Sequence, residues 1–203
     1  MEHIIHTIGD SHAFKHTCLD EKTSKVVQHH LGPVLCYSFG REKLNRCDIR
    51  RFNVKEGDSI VFCLGEIDCR CHVHKHVSNE VSYQNVIDYI TDNYFEAIKL
   101  NVDVCQVKLR NVCVYNVVPP PQKYNTKEDP VYPFLGSDDE RKSYVLYFNK
   151  KLKENCEKYG YVFLDVYDHY TDENGFLIKD LSDGNVHLRD KSRVRDFILK
   201  HNI

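Results

Sequence analysis

Short apolar runs that alternate with helical patterns set the tightest limit on the fold of this chain. Five runs rich in Val, Ile, Phe and Tyr have the length of buried strands, and they cover residues 3–8, 25–31, 59–64, 111–118 and 161–166. A parallel connection between strands needs a crossover, and such crossovers are right-handed. The order of elements therefore predicts an α/β protein, a three-layer α/β/α sandwich around five parallel strands.

Helices are predicted from their sequence patterns. Apolar residues from Tyr83 to Ile98 recur with the i, i+3, i+4, i+7 spacing of one helix face. The pattern Ser137-Asp138-Asp139-Glu140 is a capping box that begins a second helix, which is predicted to end near Gly160. A last helix is predicted from Asp190, and the region 41–53 is also predicted to be helical.

Ser11 directly follows the first predicted strand, in the sequence Gly9-Asp10-Ser11. A serine hydroxyl is a weak nucleophile at neutral pH unless a neighbouring base activates it. Serine after a strand also commonly caps a following helix. Gly32 and Asp68 follow other predicted strand ends, and ligands of parallel sheets bind at the carboxyl ends of the strands. The order of elements thus predicts that these residues meet at one edge of the sheet.

A candidate base lies near the other end of the chain, in Asp183-Gly184-Asn185-Val186-His187. An aspartate close to a histidine can hold one ring nitrogen while the other accepts the serine proton. We therefore predict Ser11 as nucleophile, His187 as base and Asp183 as orienting acid, which outweighs the capping role of Ser11. The alternative bases are His12, His29 and His30, but they lack a carboxylate at the Asp-x-x-His spacing.

Gly-Asp-Ser near one end and Asp-x-x-His near the other resemble the SGNH hydrolases, also called the GDSL esterase family. Gly32 lies where that family has its second-block glycine, and Gly65-Glu66-Ile67-Asp68 lies where its third block belongs. The resemblance covers nearly the whole chain in the right order. It implies one domain over residues 1–203 and the flavodoxin-like strand order 2-1-3-4-5.

The resemblance also implies an activity. We expect a serine esterase that hydrolyses a small acyl ester, with O-acetyl groups on carbohydrate as the leading substrate class. An acyltransferase that uses the same acyl-enzyme is one alternative. The other is a non-catalytic glycan-binding module on the same fold. No metal or organic cofactor is implied.

The third block departs from the family pattern Gly-x-Asn-Asp, because Ile67 stands where an asparagine amide would donate to the oxyanion. Loss of one such donor typically costs about 100- to 1,000-fold in rate. The remaining predicted donors are the backbone N–H groups of Ser11 and Gly32. Arg70 could supply another donor, or it could form a purely structural ion pair with Glu66; we weigh these two interpretations equally.

Substrate contacts are predicted for residues near these strand ends: Asp10, Glu66, Asp68, Arg70, Tyr132 and Phe134. Asp10 and Asp68 are also expected to organise their turns. Most of the prolines lie between the fourth strand and the next helix, in a loop where Tyr124, Tyr132 and Phe134 could form an aromatic wall. Packing of these rings onto the protein surface is the more ordinary alternative.

The segment Cys69-Arg70-Cys71-His72-Val73-His74-Lys75-His76 holds potential zinc ligands. If the segment were extended, alternating residues would place these ligands along a line, which does not suit a compact tetrahedral site. We therefore predict no metal site there and expect that His72 and His74 line the edge of the substrate pocket.

Composition excludes several function classes. The formal net charge is −2, with positive and negative residues interspersed, so no basic stripe suggests a nucleic-acid partner. No run approaches the roughly 20 apolar residues of a membrane helix, and the first residues enter a strand without a secretion signal. The nine cysteines are odd in number and scattered. We expect reduced thiols, a cytoplasmic location, and no membrane partner.

Overall fold

The computed structural model describes residues 3–15 and 25–203 of the 203-residue chain. Over these residues, the sheet has five parallel strands in the order β2-β1-β3-β4-β5. The strands are β1 (Ile4–Gly9), β2 (Lys25–His30), β3 (Ser59–Cys63), β4 (Asn111–Tyr115) and β5 (Val162–Leu164). The predicted fold class and strand order are confirmed. Strands β4 and β5 are shorter than the apolar runs that predicted them.

Within the described part of the chain, four α-helices accompany the sheet: α1 (Cys36–Glu42), α2 (Tyr83–Cys105), α3 (Asp138–Tyr159) and α4 (Ser192–His201). Helix α3 begins with the predicted capping box, in which Ser137 and Glu140 satisfy each other's backbone N–H groups. Helix α2 begins with a second capping box, formed by Ser82 and Asn85.

Two predicted helices differ from the structure at their boundaries. Helix α4 begins at Ser192 because the Asp190 carboxylate accepts hydrogen bonds from the Ser192 backbone N–H and hydroxyl. The region 41–53 contains only the end of α1 and the two short 3₁₀ turns Lys43–Asn45 and Ile49–Phe52.

The core has one layer on each face of the sheet, because successive side chains of a strand point to opposite faces. In β3, Ile60 and Phe62 pack in the layer under α1, α2 and α3, whereas Val61 and Cys63 pack in the layer under α4. Every residue of β3 is buried. Burial on both faces is typical of a parallel sheet with helices on each side.

Gly9 ends β1 where the backbone of β3 comes very close. A Cβ atom at Gly9 would lie 2.0 Å from the Cys63 carbonyl oxygen, far inside van der Waals contact. Glycine is therefore required at this position by close backbone packing. Because Gly9 lies directly before Asp10 and Ser11, the same packing fixes where the serine leaves the sheet.

The described residues show no disulfide bond and no membrane-spanning helix. The eight cysteines among residues 3–15 and 25–203 are free, and Cys18 lies outside these ranges. Within the same ranges, no helix combines the length and the apolar character that a membrane crossing requires.

Candidate active site

The turn after β1 presents Ser11 to solvent and buries its neighbours. The Asp10 carboxylate accepts the His12 backbone N–H at 2.8 Å, and the Asp10 carbonyl accepts the Ala13 N–H at 3.2 Å. Asp10 is 1 % exposed, while Ser11 is exposed. The aspartate thus holds a tight turn, which directs the serine hydroxyl outward from the carboxyl end of the sheet.

The loop before α4 brings Asp183 and His187 together. Asp183 Oδ1 accepts the backbone N–H groups of Asn185 at 2.8 Å and of His187 at 3.3 Å. The Asp183 backbone N–H donates to the His187 carbonyl at 3.0 Å. An aspartate that bonds to its own loop in this way favours a tight turn over extended backbone. The short spacing therefore places both side chains on the same side of the loop.

Ser11, His187 and Asp183 form a continuous hydrogen-bonded array. His187 Nε2 lies 2.8 Å from Ser11 Oγ, and His187 Nδ1 lies 3.0 Å from Asp183 Oδ2. The structure thus brings together the three residues predicted for catalysis. A neutral His187 that donates Nδ1–H to the carboxylate would leave Nε2 able to accept the serine proton.

The electrostatics of this array favour a neutral imidazole beside an ionised carboxylate. Burial and the nearby His12 lower the pKa of His187, although the hydrogen bond to Asp183 opposes them. Burial works against ionisation of Asp183, but hydrogen bonds from Asn185 and His187 more than offset it, so the pKa of Asp183 is lowered. Both shifts support the protonation states that a general base and its orienting acid require.

An open cleft of about 310 Å³ lies over Ser11 and His187. It contains polar side chains from several loops together with a few apolar ones. Its other lining residues are His30, Pro33, Ile67, Arg70, Asp129, Tyr132, Asn185 and Val186. The cleft is therefore the site where a substrate could reach the serine hydroxyl.

Arg70 and Tyr132, both predicted to contact substrate, line this cleft. Arg70 donates through Nε and Nη2 to the two Glu66 oxygens, at 2.7 and 3.1 Å, and through Nη1 to the Tyr132 carbonyl. Burial works against the charge on Arg70, but Glu66 more than offsets it, so the pKa of Arg70 is raised. Arg70 thus forms the ion pair with Glu66 and also lines the cleft. Its donation to the oxyanion stays a prediction.

Phe134 and the acidic residues of the predicted set lie beneath the cleft surface. Phe134 is 5 % exposed and packs between the guanidinium groups of Arg70 and Arg141. Asp68 is fully buried and accepts the Cys36 and Tyr37 backbone N–H groups at 2.7 and 3.1 Å. Burial raises the pKa of Asp68 to about 7.

These positions correct the predicted substrate set. Asp68 has no surface to offer a substrate, and it fixes the first turn of α1 to the third block instead. Asp10 and Glu66 are also buried, and their contacts are the turn and the ion pair described above. Tyr124 is 77 % exposed and does not line the cleft, so the structure does not assemble the aromatic wall from Tyr124, Tyr132 and Phe134.

Gly32 lies in the turn after β2, and Ile67 occupies the third-block position in the cleft wall. Gly32 has φ +79°, a left-handed conformation that favours glycine, and a Cβ there would meet open space. The glycine is thus required by its backbone conformation. Ile67 is 5 % exposed and presents an apolar side chain to the cleft, as its identity predicts.

The cysteine and histidine segment differs from its predicted form. It is helical, a π-helical turn (Asp68–His72) followed by a 3₁₀ turn (Val73–His76), so the premise of an extended segment was wrong. His72 packs against Tyr37 and His76, and His74 Nδ1 lies 3.1 Å from the Tyr144 hydroxyl. Neither histidine lines the cleft. No cluster of three potential ligands among the described residues is arranged for a metal ion.

Several cleft residues were not identified as site residues from the sequence. Pro33 and Asp129 reach the cleft through loop conformation, for which the sequence carries no short signal. Asn185 and Val186 could have been identified, because they lie inside the Asp-x-x-His motif whose ends were assigned. His30 was considered only as an alternative base, and it lines the cleft instead.

The chain resembles known proteins in structure but not in sequence. No family sequence model matches the chain, and no curated protein matches it in sequence. Solved structures do match over nearly its full length. A protein of Streptococcus pneumonia named for platelet activating factor has a TM-score of 0.70 at 17 % identity, over 100 % of this chain and 85 % of that one.

Two further matches carry hydrolase names. A GDSL-like lipase from Bacteroides thetaiotaomicron has a TM-score of 0.61 at 13 % identity, over 99 % of this chain and 87 % of that one. An acetylxylan esterase from Geobacillus stearothermophilus has a TM-score of 0.57 at 10 % identity, over 98 % and 93 %. The chain therefore has the fold of the SGNH, or GDSL, hydrolases, as its sequence motifs predicted.

Proposed function

We propose that this protein is a serine ester hydrolase. The observation that carries the proposal is the array in which His187 connects Ser11 Oγ, at 2.8 Å, to the Asp183 carboxylate, at 3.0 Å. The array opens into a cleft large enough for a small substrate. Acyl transfer through a serine requires a nucleophile that contacts a base, and a base that an acid holds in place.

In the proposed mechanism, His187 Nε2 takes the Ser11 hydroxyl proton while Oγ attacks the ester carbonyl. The backbone N–H groups of Ser11 and Gly32 would stabilise the resulting oxyanion. His187 then gives its proton to the departing alcohol, which leaves an acyl-enzyme. Water, deprotonated by the same nitrogen, attacks that acyl group; the bond to Oγ then breaks, the carboxylic acid leaves, and His187 returns the proton to Ser11. Asp183 holds the imidazolium in place throughout.

A small acyl group, with O-acetyl as the first candidate, suits the site best. Ile67 gives the cleft an apolar surface that could pack against a methyl group. The polar lining, which includes His30, Asp129 and Asn185, suits a hydroxyl-rich alcohol such as a sugar. Among proteins of the same fold is an acetylxylan esterase, which is consistent with an acetylated carbohydrate as substrate.

The direct test compares wild type, Ser11→Ala and Ser143→Ala in hydrolysis of p-nitrophenyl acetate. Ser143 lies on α3, where its hydroxyl bonds to the Asp139 carbonyl, so it is a matched control. The proposal predicts that Ser11→Ala alone abolishes turnover. It also predicts a fluorophosphonate adduct on Ser11 by mass spectrometry. Turnover retained in Ser11→Ala would contradict it.

Ile67 favours a second candidate, a glycan-binding module without catalysis, because the cleft lacks the asparagine amide of the family pattern at that position. No turnover and no adduct, together with retained binding of an acetylated oligosaccharide, would favour this candidate. If an acyl-enzyme does form, adding a sugar acceptor separates hydrolysis from acyl transfer. A transferase must yield acylated acceptor, whereas a hydrolase yields free acid.

A further inference from the structure

A second histidine ring lies directly against the proposed base. His12 is 8 % exposed, and its ring centroid is 4.9 Å from that of His187, with the ring planes tilted by 38°. His12 lies in the turn after β1 and His187 in the loop before α4, so the two rings reach this contact from opposite ends of the chain. His12 does not line the cleft over Ser11, so its action on the reaction has to pass through His187.

Both ring nitrogens of His12 face hydrogen-bond acceptors. Nδ1 lies 3.1 Å from Asp10 Oδ1, and Nε2 lies 3.3 Å from the Val186 carbonyl oxygen. A carbonyl oxygen can only accept, so Nε2 must carry a hydrogen for that contact to be favourable. A neutral imidazole has one N–H, whereas the imidazolium has two and satisfies both contacts.

The Asp10 carboxylate also requires a positive partner. Its Oδ1 accepts from the backbone and the ring of His12, while Oδ2 is buried and has no hydrogen-bond partner among the described residues. A proton placed on Oδ2 would itself lack an acceptor, and a proton between Oδ1 and Nδ1 favours the nitrogen because imidazole is a stronger base than a carboxylate. The arrangement is therefore best satisfied when Asp10 is ionised and His12 is charged, because buried charges are stable when paired and hydrogen-bonded.

We propose that His12 is a positioning residue, held as an imidazolium by Asp10, that fixes the Val186 carbonyl and keeps the adjacent His187 neutral. The proposal rests on the proposed function, in which neutral His187 is the base. His12, directly after the proposed nucleophile, then has a defined role: its fixed positive charge on one side of His187 offsets the negative charge of Asp183 on the other.

The remaining charged and titratable neighbours favour the same protonation states. Burial works against the charge on His12, but Asp10 first and Glu66 after it more than offset burial, so the pKa of His12 is raised. Arg70 neutralises Glu66 through their ion pair. On the β3 and β4 side, Cys63 and Tyr115 border the small space beside His12 and Glu66. Burial raises the pKa of the Cys63 thiol, with Lys191 as its nearby cation, so this thiol adds no charge.

The consequence is measurable in the pH dependence of catalysis. Activity needs neutral His187, so kcat/KM rises with pH through the pKa of His187 in the free enzyme. A positive charge on His12 lowers that pKa, because it disfavours a second positive charge close by. Removing the charge should move the acid limb to higher pH by about one unit, which is about tenfold in kcat/KM at pH values below the limb.

The test measures kcat/KM for p-nitrophenyl acetate against pH in wild type, His12→Gln, Asp10→Asn and His169→Gln. His12→Gln removes the charge, and Asp10→Asn removes the group that maintains it, so both should move the limb upward. His169 is exposed in the turn after β5 and does not line the cleft, so it serves as the matched control. A limb that stays in place or moves to lower pH in His12→Gln would overturn the proposal. A purely structural role would lower activity at all pH values alike.

A second measurement needs neither activity nor a folded variant. Nitrogen-15 NMR of the wild-type histidine rings should show His12 doubly protonated at pH 7 while His187 is neutral. A neutral His12 ring at that pH overturns the proposal. If the protein proves to hydrolyse no ester, the proposed function fails, yet the ring titrations still decide whether His12 is charged and whether His187 responds to it.

Discussion

The two ends of the β-sheet carry the same types of residue, but among the described residues the serine of the carboxyl end opens into a cleft, whereas that of the amino end is buried. At the amino end, His3 Nε2 lies 2.9 Å from Ser59 Oγ, and the Asp58 carboxylate lies 3.2 Å from His6 Nε2. At the carboxyl end, Ser11, His187 and Asp183 make contacts of similar length. Serine, histidine and aspartate in proximity therefore do not by themselves define a catalytic site.

The two ends differ in the solvent exposure of the serine and in the number of other hydrogen bonds that the serine makes. Ser59 is fully buried within β3, and its hydroxyl also contacts the Asn111 amide. The Asp58 carboxylate accepts the Ile4 and Lys55 backbone N–H groups besides His6. Ser11, in contrast, is exposed in a turn beneath a cleft. The serine and the aspartate are thus buried at the amino end of the sheet and accessible at the carboxyl end.

The largest expected effect separates the two serine–histidine pairs. His187→Gln should lower kcat by about 10⁴-fold or more, since it removes the base. His3→Gln, the matched change at the amino end, should leave kcat within about twofold because Ser59 meets no substrate. Steady-state hydrolysis of p-nitrophenyl acetate measures both. A comparable loss in the two variants would mean that His187 acts through folding and would remove the distinction.

The two aspartates should give opposite results for activity and stability. Asp183→Asn should lower kcat by about 10⁴-fold through loss of the correct His187 tautomer, with little effect on stability, since the side chain is 39 % exposed. Asp58→Asn should leave kcat nearly unchanged and lower the free energy of unfolding by about 2–4 kcal/mol, because a buried, multiply bonded carboxylate is lost. Urea unfolding beside the kinetic assay distinguishes them. Equal stability losses would contradict the comparison.

Most of the fold and the three catalytic candidates could be predicted from the sequence because their signals are local. Strand runs, capping boxes and short motifs depend on neighbouring residues. Helix α2 continues past Ile98 through a buried polar residue: Asn101 donates to the Ala97 carbonyl and accepts the Ile49 N–H. Apolar spacing cannot predict such an extension, because the partner is distant in the chain.

The parts of the site that could not be predicted depend on tertiary contacts. Asp129 and Pro33 line the cleft through loop conformations, and Asp68 faces the amino end of α1 rather than the substrate. The segment Cys69-Arg70-Cys71-His72 is helical, and its His72 ring contacts Tyr37 of α1, a long-range contact that the segment's own residues do not reveal. Long-range packing, rather than residue type, decides these positions.

A smaller effect is expected from restoring the family residue at position 67. Ile67→Asn adds an amide to the cleft wall, where the family pattern places an oxyanion donor. We expect kcat to rise by about 10-fold, below the full value of such a donor because the surrounding loop is adapted to isoleucine. Ile67→Leu controls for loss of packing. A fall in kcat for the asparagine variant alone would show that this site stabilises the oxyanion by another arrangement, with Arg70 as the first candidate to test.

The smallest effect concerns stability at the contact between His29 and His6. His29 stacks on Phe52 and contacts His6, and burial followed by the charge on His6 lowers the pKa of His29 to about 4. As the pH falls, His29 therefore takes up a proton near pH 6.5 in the unfolded chain but only near pH 4 in the folded chain. Stability that depends on neutral His29 is complete above pH 6.5 and declines as the pH falls toward 4. Because the ring is half-buried and solvent screens its charge, we expect about 1–2 kcal/mol over this window.

His29→Gln should reduce the loss of unfolding free energy between pH 7 and pH 4.5 by that amount, while His169→Gln should follow the wild type. An unchanged pH dependence in His29→Gln would show that the folded protein tolerates a charge at this pair.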